Sequence, residues 1–390
     1  MISLNRQFGI LGLASAFVLS ARVPAQAQAP VPSAARFDST STRPEAQVYR
    51  AWQEYYESKG RNLQMGAGTP SRLWVADEQA KWPMYDLAGY YVPDGAVPEI
   101  ASISPLRKGQ GLDYEIVVRF ITPTRGDSTS KRSVALTATW HVRQQSGQWR
   151  VANALPARTR SWQTVTVGPI TYHVEPGITF DHARALQAVT FVDSLADAFT
   201  VPRLTKLDYY LTATVDAALL ALGVEYPRRF GPGGGFAKPV NNQLFAAVPL
   251  WGENYRHELA HLVLRPLLSG STMTLLASEG IATWLGGSAG MERPEAIRRL
   301  RDYLVGHPGT NLDDALMPGR LPQAELYAAG AVLCELLYER GGVRNLKAFL
   351  AAGPGAEQVR SALIELLNQP WEAITAEWRR MVDRMAGQAM

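Results

Sequence analysis

The chain has 390 residues, a formal net charge of +4, 46% hydrophobic residues and 19% charged residues, enough apolar material for two packed cores. Its basic residues are scattered among acids and form no run of the kind that grips phosphate backbones, so nucleic acid is excluded as the expected partner. Cys334 is the only cysteine; no internal disulfide is possible, and stability must come from burial.

Residues 1–27 have the form of a secretory signal peptide. Arg6 is followed by an apolar run from Phe8 to Leu19, then Arg22 and the small-residue track Ala25-Gln26-Ala27-Gln28-Ala29. Cleavage after Ala27 avoids Pro30 and places the mature protein in the periplasm or outside the cell. It removes Arg6 and Arg22 and no acid, so the net charge falls to +2. An uncleaved anchor is the competing assignment, but the run is shorter than the roughly 20 residues that span a bilayer. No later segment is apolar enough to span, and no cysteine stands at the cut to take a lipid.

Residues 28–44 are rich in Pro, Ala, Ser and Thr and read as a flexible lead. Val48, Trp52 and Tyr56 then form a stripe at spacings of four, which predicts a helix over Glu45–Lys59 ended by Gly60. After an aromatic, loop-rich stretch from Trp74 to Tyr91 the period changes to two. Strands are predicted over Glu99–Pro105, Asp113–Thr122, Arg132–Gln144 and Gln148–Ala154, with Ser146-Gly147 as a hairpin turn. This order of elements and the Gln148-Trp149-Arg150-Val151 ending resemble the cone-shaped NTF2-like or SnoaL-like fold, which implies an accessory or ligand-binding domain over 45–160. His141 lies in one of its strands and is expected to be structural.

Alternation continues through Thr164–Val167 and Ile170–Val174, and a boundary near Arg160 opens a second domain over 161–390. Apolar residues at three and four spacings predict helices over Phe180–Phe199 and Leu207–Leu222. His173 and His182 are expected on the surface or packed. Gly231–Phe236 is glycine-rich but lacks the Gly-Lys-Ser/Thr of a phosphate loop. It is expected to be mobile and to lead into an edge strand over Asn242–Pro249, where an extended peptide could pair.

His257-Glu258-Leu259-Ala260-His261 follows, on a helix predicted over Asn254–Leu264. Residues four apart lie on one helical face, so both imidazoles can reach one metal ion with Glu258 beside its open position. Catalytic zinc commonly takes three protein ligands plus water. Glu279, in Ser278-Glu279-Gly280-Ile281-Ala282-Thr283-Trp284, is the candidate for the third.

Here the chain resembles the gluzincin metallopeptidases, in which a glutamate on the next helix completes a His/His/Glu zinc site. Leu326-Tyr327-Ala328-Ala329-Gly330 is similar to the Tyr-x-Lys-Gly helix of the aminopeptidase N branch. That likeness implies Tyr327 as an oxyanion donor, Zn²⁺ as cofactor, Glu258 as general base and a peptide or protein as substrate. The chain departs from that branch in three ways. The branch has one more residue between the second histidine and the glutamate, its lysine is Ala329 here, and no amine-capturing glutamate occurs between Gly231 and Trp251. The expected class is therefore α+β: a cone-shaped NTF2-like domain, then a mainly helical zincin-type domain with a small edge sheet. An alternative is a non-catalytic ligand- or peptide-binding protein on a degenerate peptidase scaffold. A third is zinc-assisted hydrolysis of another acyl group. Cys334, within Ala331-Val332-Leu333-Cys334, is expected to be a small buried hydrophobe.

Overall fold

The computed structural model describes residues 42–58, 71–79, 92, 95–106, 113–123, 132–226, 234–238, 242–268, 274–288, 290–317 and 319–387. The expected signal peptide over 1–27 and nearly all of the lead over 28–44 lie outside these residues, as do Tyr91 and Gly231–Gly233. The class is mixed α+β. The described residues form two compact units: those within 163–215 join with those within 234–387, while those within 42–162 join with 216–226.

The first unit contains helix α1 (Pro44–Ser58) and strands β1 (Val97–Pro105), β2 (Asp113–Pro123), β3 (Arg132–Gln145) and β4 (Gln148–Asn153). The four strands pair antiparallel in chain order. The Val48/Trp52/Tyr56 stripe is buried, and Trp52 meets Trp140 of β3 edge-on at 5.8 Å between centroids. Aromatic pairs in this geometry add about 1 kcal/mol to their area burial. Ser146 and Gly147 both have positive φ, 52° and 77°, the conformation that lets a two-residue turn follow the strand twist.

The same sheet takes a strand from far along the chain. Helix α2 (Leu155–Arg158) and the crossing into the second unit are followed, sixty residues later, by α4 (Val215–Leu222) and β8 (Val224–Tyr226). β4 pairs with β3 over Trp140–Gln145, and β8 takes β3 at Thr137 and Ala138, where β4 does not reach. Arg158 ties β8 down through Glu225 at 2.9 Å. Residues 216–226, inside the range assigned from sequence to the second domain, thus fold with the first unit. His141 is buried on this sheet opposite Glu115, which His141 and Arg158 hold below the usual carboxylate range.

The second unit is built on a mixed five-stranded sheet in the order β5-β6-β7-β10-β9: β5 (Gln163–Val167), β6 (Ile170–Val174), β7 (Leu207–Thr212), β9 (Gly235–Lys238) and β10 (Gln243–Ala247). Two expectations are corrected here. The apolar run over Leu207–Leu222 is not one helix: its first half is β7, whose burial is near-continuous because it is an inner parallel strand, and only Val215–Leu222 is helical. Nor is the Leu244–Ala247 strand at an edge. β10 lies between β7 and β9, and all five of its residues are buried; the edge is β9, formed by the tail of the glycine-rich segment. Gly235 is required in β9 because a Cβ would stand 2.2 Å from the Phe245 carbonyl and 2.8 Å from the Tyr255 ring.

Helix α3 (His182–Phe199), capped by Asp181 accepting from the backbone N–H of Ala183 and Arg184, connects β6 to its parallel neighbour β7. The helices that carry the site are α5 (Arg256–Leu268), α6 (Leu275–Gly286) and α9 (Gln323–Leu350). Around them pack α7 (Arg293–Gly306), α8 (Leu312–Leu316), α10 (Ala356–Leu367) and α11 (Trp371–Gly387). Cys334 is fully buried in α9, where burial pushes its thiol pKa well up, and it serves as packing. No helix among the described residues is long and apolar enough to cross a membrane.

Candidate metal centre

The loop that delivers α5 is fixed before the helix begins. Tyr172 of β6 donates to the Glu253 carbonyl at 3.0 Å, Tyr209 of β7 donates to the Gly252 carbonyl, and the Tyr209 hydroxyl accepts from the Tyr255 N–H at 3.2 Å. Glu253 is itself buried, its carboxylate accepting from the Asp181 N–H at 2.8 Å. It is the first glutamate after Trp251, and it secures this loop instead of standing free in the site.

His257 and His261 then project from the first two turns of α5 with ring centroids 5.0 Å apart. Glu279, in the second turn of α6, faces both: its Oε2 is 3.2 Å from His257 Nε2 and its Oε1 is 3.5 Å from His261 Nε2. Candidate ligand atoms of the three residues all lie within 4.8 Å of one another, and no other group of three or more His, Cys, Asp or Glu among the described residues is so placed. Tetrahedral zinc with bonds of about 2.1 Å puts neighbouring ligand atoms about 3.4 Å apart, so these residues fit that ion. The His257 Nδ1 lies 2.7 Å from the Gly287 carbonyl, a contact that fixes the ring plane and directs Nε2 toward Glu279 and the shared space.

The electrostatics suit a cation. Burial works against charge on Glu279, but His261 and His257 hold its carboxyl far below the usual range. Burial also opposes a charged His261, and Glu279 more than offsets this, pushing the imidazole up to about 9. Glu258 points elsewhere: its Oε2 accepts from the Ala237 N–H of edge strand β9 at 2.9 Å, and burial raises its carboxyl pKa against the pull of His257 and His261. That direction makes the carboxylate a stronger base than an exposed one.

Tyr327 approaches from α9, its ring 6.4 Å from that of His257. Its hydroxyl accepts from the Gln323 amide at 2.6 Å and donates toward Glu279, and burial raises its pKa, so it remains a proton-bearing donor. All five residues singled out from sequence, His257, Glu258, His261, Glu279 and Tyr327, come together. The other histidines stay apart from the group: His173 pairs with Asp208 at 3.0 Å, His182 packs edge-on against Phe180, and His307 stacks on Tyr303.

The close approach of α6 and α9 has a definite cause. A Cβ on Gly280 would lie 2.7 Å from the backbone of Gly330, and one on Gly330 would lie 2.2 Å from the Leu276 carbonyl. The glycine that follows Glu279 and the glycine three places after Tyr327 therefore pack on each other, and their contact brings the two candidate side chains close to one another. Gly286 similarly admits the first turn of α5, its absent Cβ 2.4 Å from the His257 nitrogen. Sequence inspection picked out Gly280 and Gly330 as parts of motifs without this reason. It missed Gly287, the Ala237 N–H and Gln323; only Gln323 left a signal, lying four residues before Tyr327 on the same helical face. No protein-family model matches the chain, and no curated protein matches it.

Proposed function

We propose that this chain is an exported zinc-dependent peptidase of gluzincin type, with His257, His261 and Glu279 as ligands and an N-terminal NTF2-like accessory domain. The observation that carries the proposal is the convergence of those three side chains at zinc-ligand spacing with Glu258 next to them and unengaged by the group. Zinc, when bound, supplies a Lewis acid that polarises a carbonyl and brings the pKa of water toward about 7.

The chain's own residues do the rest. Glu258 takes the proton from the attacking water and passes it to the leaving amine. The Tyr327 hydroxyl donates to the oxygen on which negative charge develops. The Ala237 N–H holds Glu258 from the side and marks where β9 borders the site. An outer strand in that place suits a peptide in extended form, which binds through its main chain with little side-chain preference. With no glutamate between Gly231 and Trp251, and Glu253 engaged by the Asp181 N–H, an endopeptidase is favoured over an aminopeptidase.

The test is stoichiometric zinc in the purified mature protein together with cleavage of a peptide library carrying free and blocked N-termini. Cleavage of blocked peptides is expected; protein without zinc and without hydrolysis would refute the proposal. Glu279→Ala should weaken zinc binding by about tenfold or more, read as metal content after dialysis, with the helical signal retained. Tyr327→Phe should keep zinc and KM near their wild-type values and lower kcat by about a hundredfold, the effect of removing one oxyanion donor.

A further inference from the structure

On the side of His257 away from the metal group, the start of α5, the end of α6 and the start of α7 enclose a cavity of about 600 Å³. Three guanidinium groups border it: Arg184 from α3, Arg256 from α5 and Arg293 from α7. Arg293 pairs with Glu335 at 3.4 Å. Arg256 lies over the Phe191 ring at 5.5 Å, and Arg184 donates to the Trp251 carbonyl at 2.7 Å; neither has a carboxylate partner among the described residues. Glu292 is the only carboxylate in the wall, so the lining carries a clear positive excess.

The remaining wall is apolar and aromatic, with Trp251, Trp284 and Leu285. Two polar atoms in the lining residues are buried with no hydrogen-bond partner: the Trp251 indole nitrogen and the Asn254 side-chain oxygen. Asn254 is 9% exposed and Trp251 6%. Buried polar groups are ordinarily hydrogen-bonded, so two unpaired ones in the residues of one wall single out this place in the fold. The indole can only donate, and the two nearly isosteric ends of the Asn254 amide can exchange, so both can serve an anion.

We infer that this cavity is a binding site for the free C-terminal carboxylate of a peptide whose last side chain is apolar or aromatic, with Arg256 and Arg184 holding the carboxylate and the indoles the side chain. Guanidinium matches a carboxylate in a planar fork, and a flanking indole accepts an apolar group that inorganic anions lack. Gly286 and Gly287 separate the cavity from His257, and Gly287 is the residue whose carbonyl orients that imidazole. The site stands on these contacts alone and does not depend on zinc or on hydrolysis.

The test is calorimetric titration of the full-length mature protein kept in chelator, so that its outcome is separate from that of the zinc site. Acetyl-Ala-Phe with a free carboxylate is the probe; its C-terminal amide and inorganic phosphate are the comparisons. Saturable binding of the acid is expected, with the amide and phosphate at least about tenfold weaker. Arg256→Gln and Gln187→Glu, both at exposed positions of the wall, should each weaken the acid by about tenfold while the thermal melt is unchanged. No binding of the acid at millimolar concentration, equal binding of acid and amide, phosphate binding as tight as the acid, or indifference to both variants would each overturn the assignment.

Discussion

Glu258→Gln is expected to retain zinc at full stoichiometry and to lower kcat by about a thousandfold or more, within the 10²–10⁴ range of a lost general base. The amide is nearly isosteric with the carboxylate, and Glu258 is not one of the three side chains at ligand spacing, so metal content should not change. The Ala237 N–H can still donate to the amide oxygen, so β9 should stay in place. What is lost is the site that accepts the proton. The measurement is paired: metal content by atomic absorption and turnover of a blocked peptide on the same sample. Undiminished turnover would remove Glu258 from the mechanism, while loss of zinc would mean that it belongs to the ligand set.

The second large effect is expected far from any reacting atom. Gly330→Ala places a methyl group 2.2 Å from the Leu276 carbonyl, a distance no real Cβ contact shows, and the obstruction is backbone that cannot rotate aside. Helices α6 and α9 must then separate by a large fraction of an ångström or more. Overpacking of this kind costs about 1–3 kcal/mol, which for a unit of this size lowers Tm by several degrees, roughly 3–10 °C. Because Glu279 rides on α6 and Tyr327 on α9, the same displacement should weaken zinc binding and lower kcat together. Thermal melts with and without added zinc separate the two parts. If the variant melts like the wild type and keeps its zinc, the glycine contact is not what sets the helix spacing.

Legibility differed between kinds of element for physical reasons. Helices whose apolar faces repeat at three and four residues, such as α1 and α3, were predicted to within two residues of their ends, because one buried face suffices to define the period. The antiparallel strands β1 to β4 were equally legible, since one face is packed and the other is not. The run over Leu207–Leu222 was misassigned because an inner parallel strand is buried on both faces and loses the alternation that would mark it. Strand β8 was not foreseen at all: it is three residues long, and its partner β3 lies some ninety residues earlier. The edge position of β9 is likewise a property of the sheet order, invisible in a local window.

For the candidate site, the sequence alone determined which side chains were candidates: the spacing of His257 and His261 follows from helical geometry, Glu258 lies between them, and Glu279 and Tyr327 stood out through the resemblance to the gluzincins. The tertiary structure decided whether those side chains meet. The 3.2 and 3.5 Å separations across α5 and α6, the Gly280 to Gly330 contact that permits them, the Gly287 carbonyl that orients His257 and the backbone N–H that steadies Glu258 all depend on segments far apart in the chain. Backbone donors and acceptors are chemically alike at every residue, so only folding determines which of them faces the site.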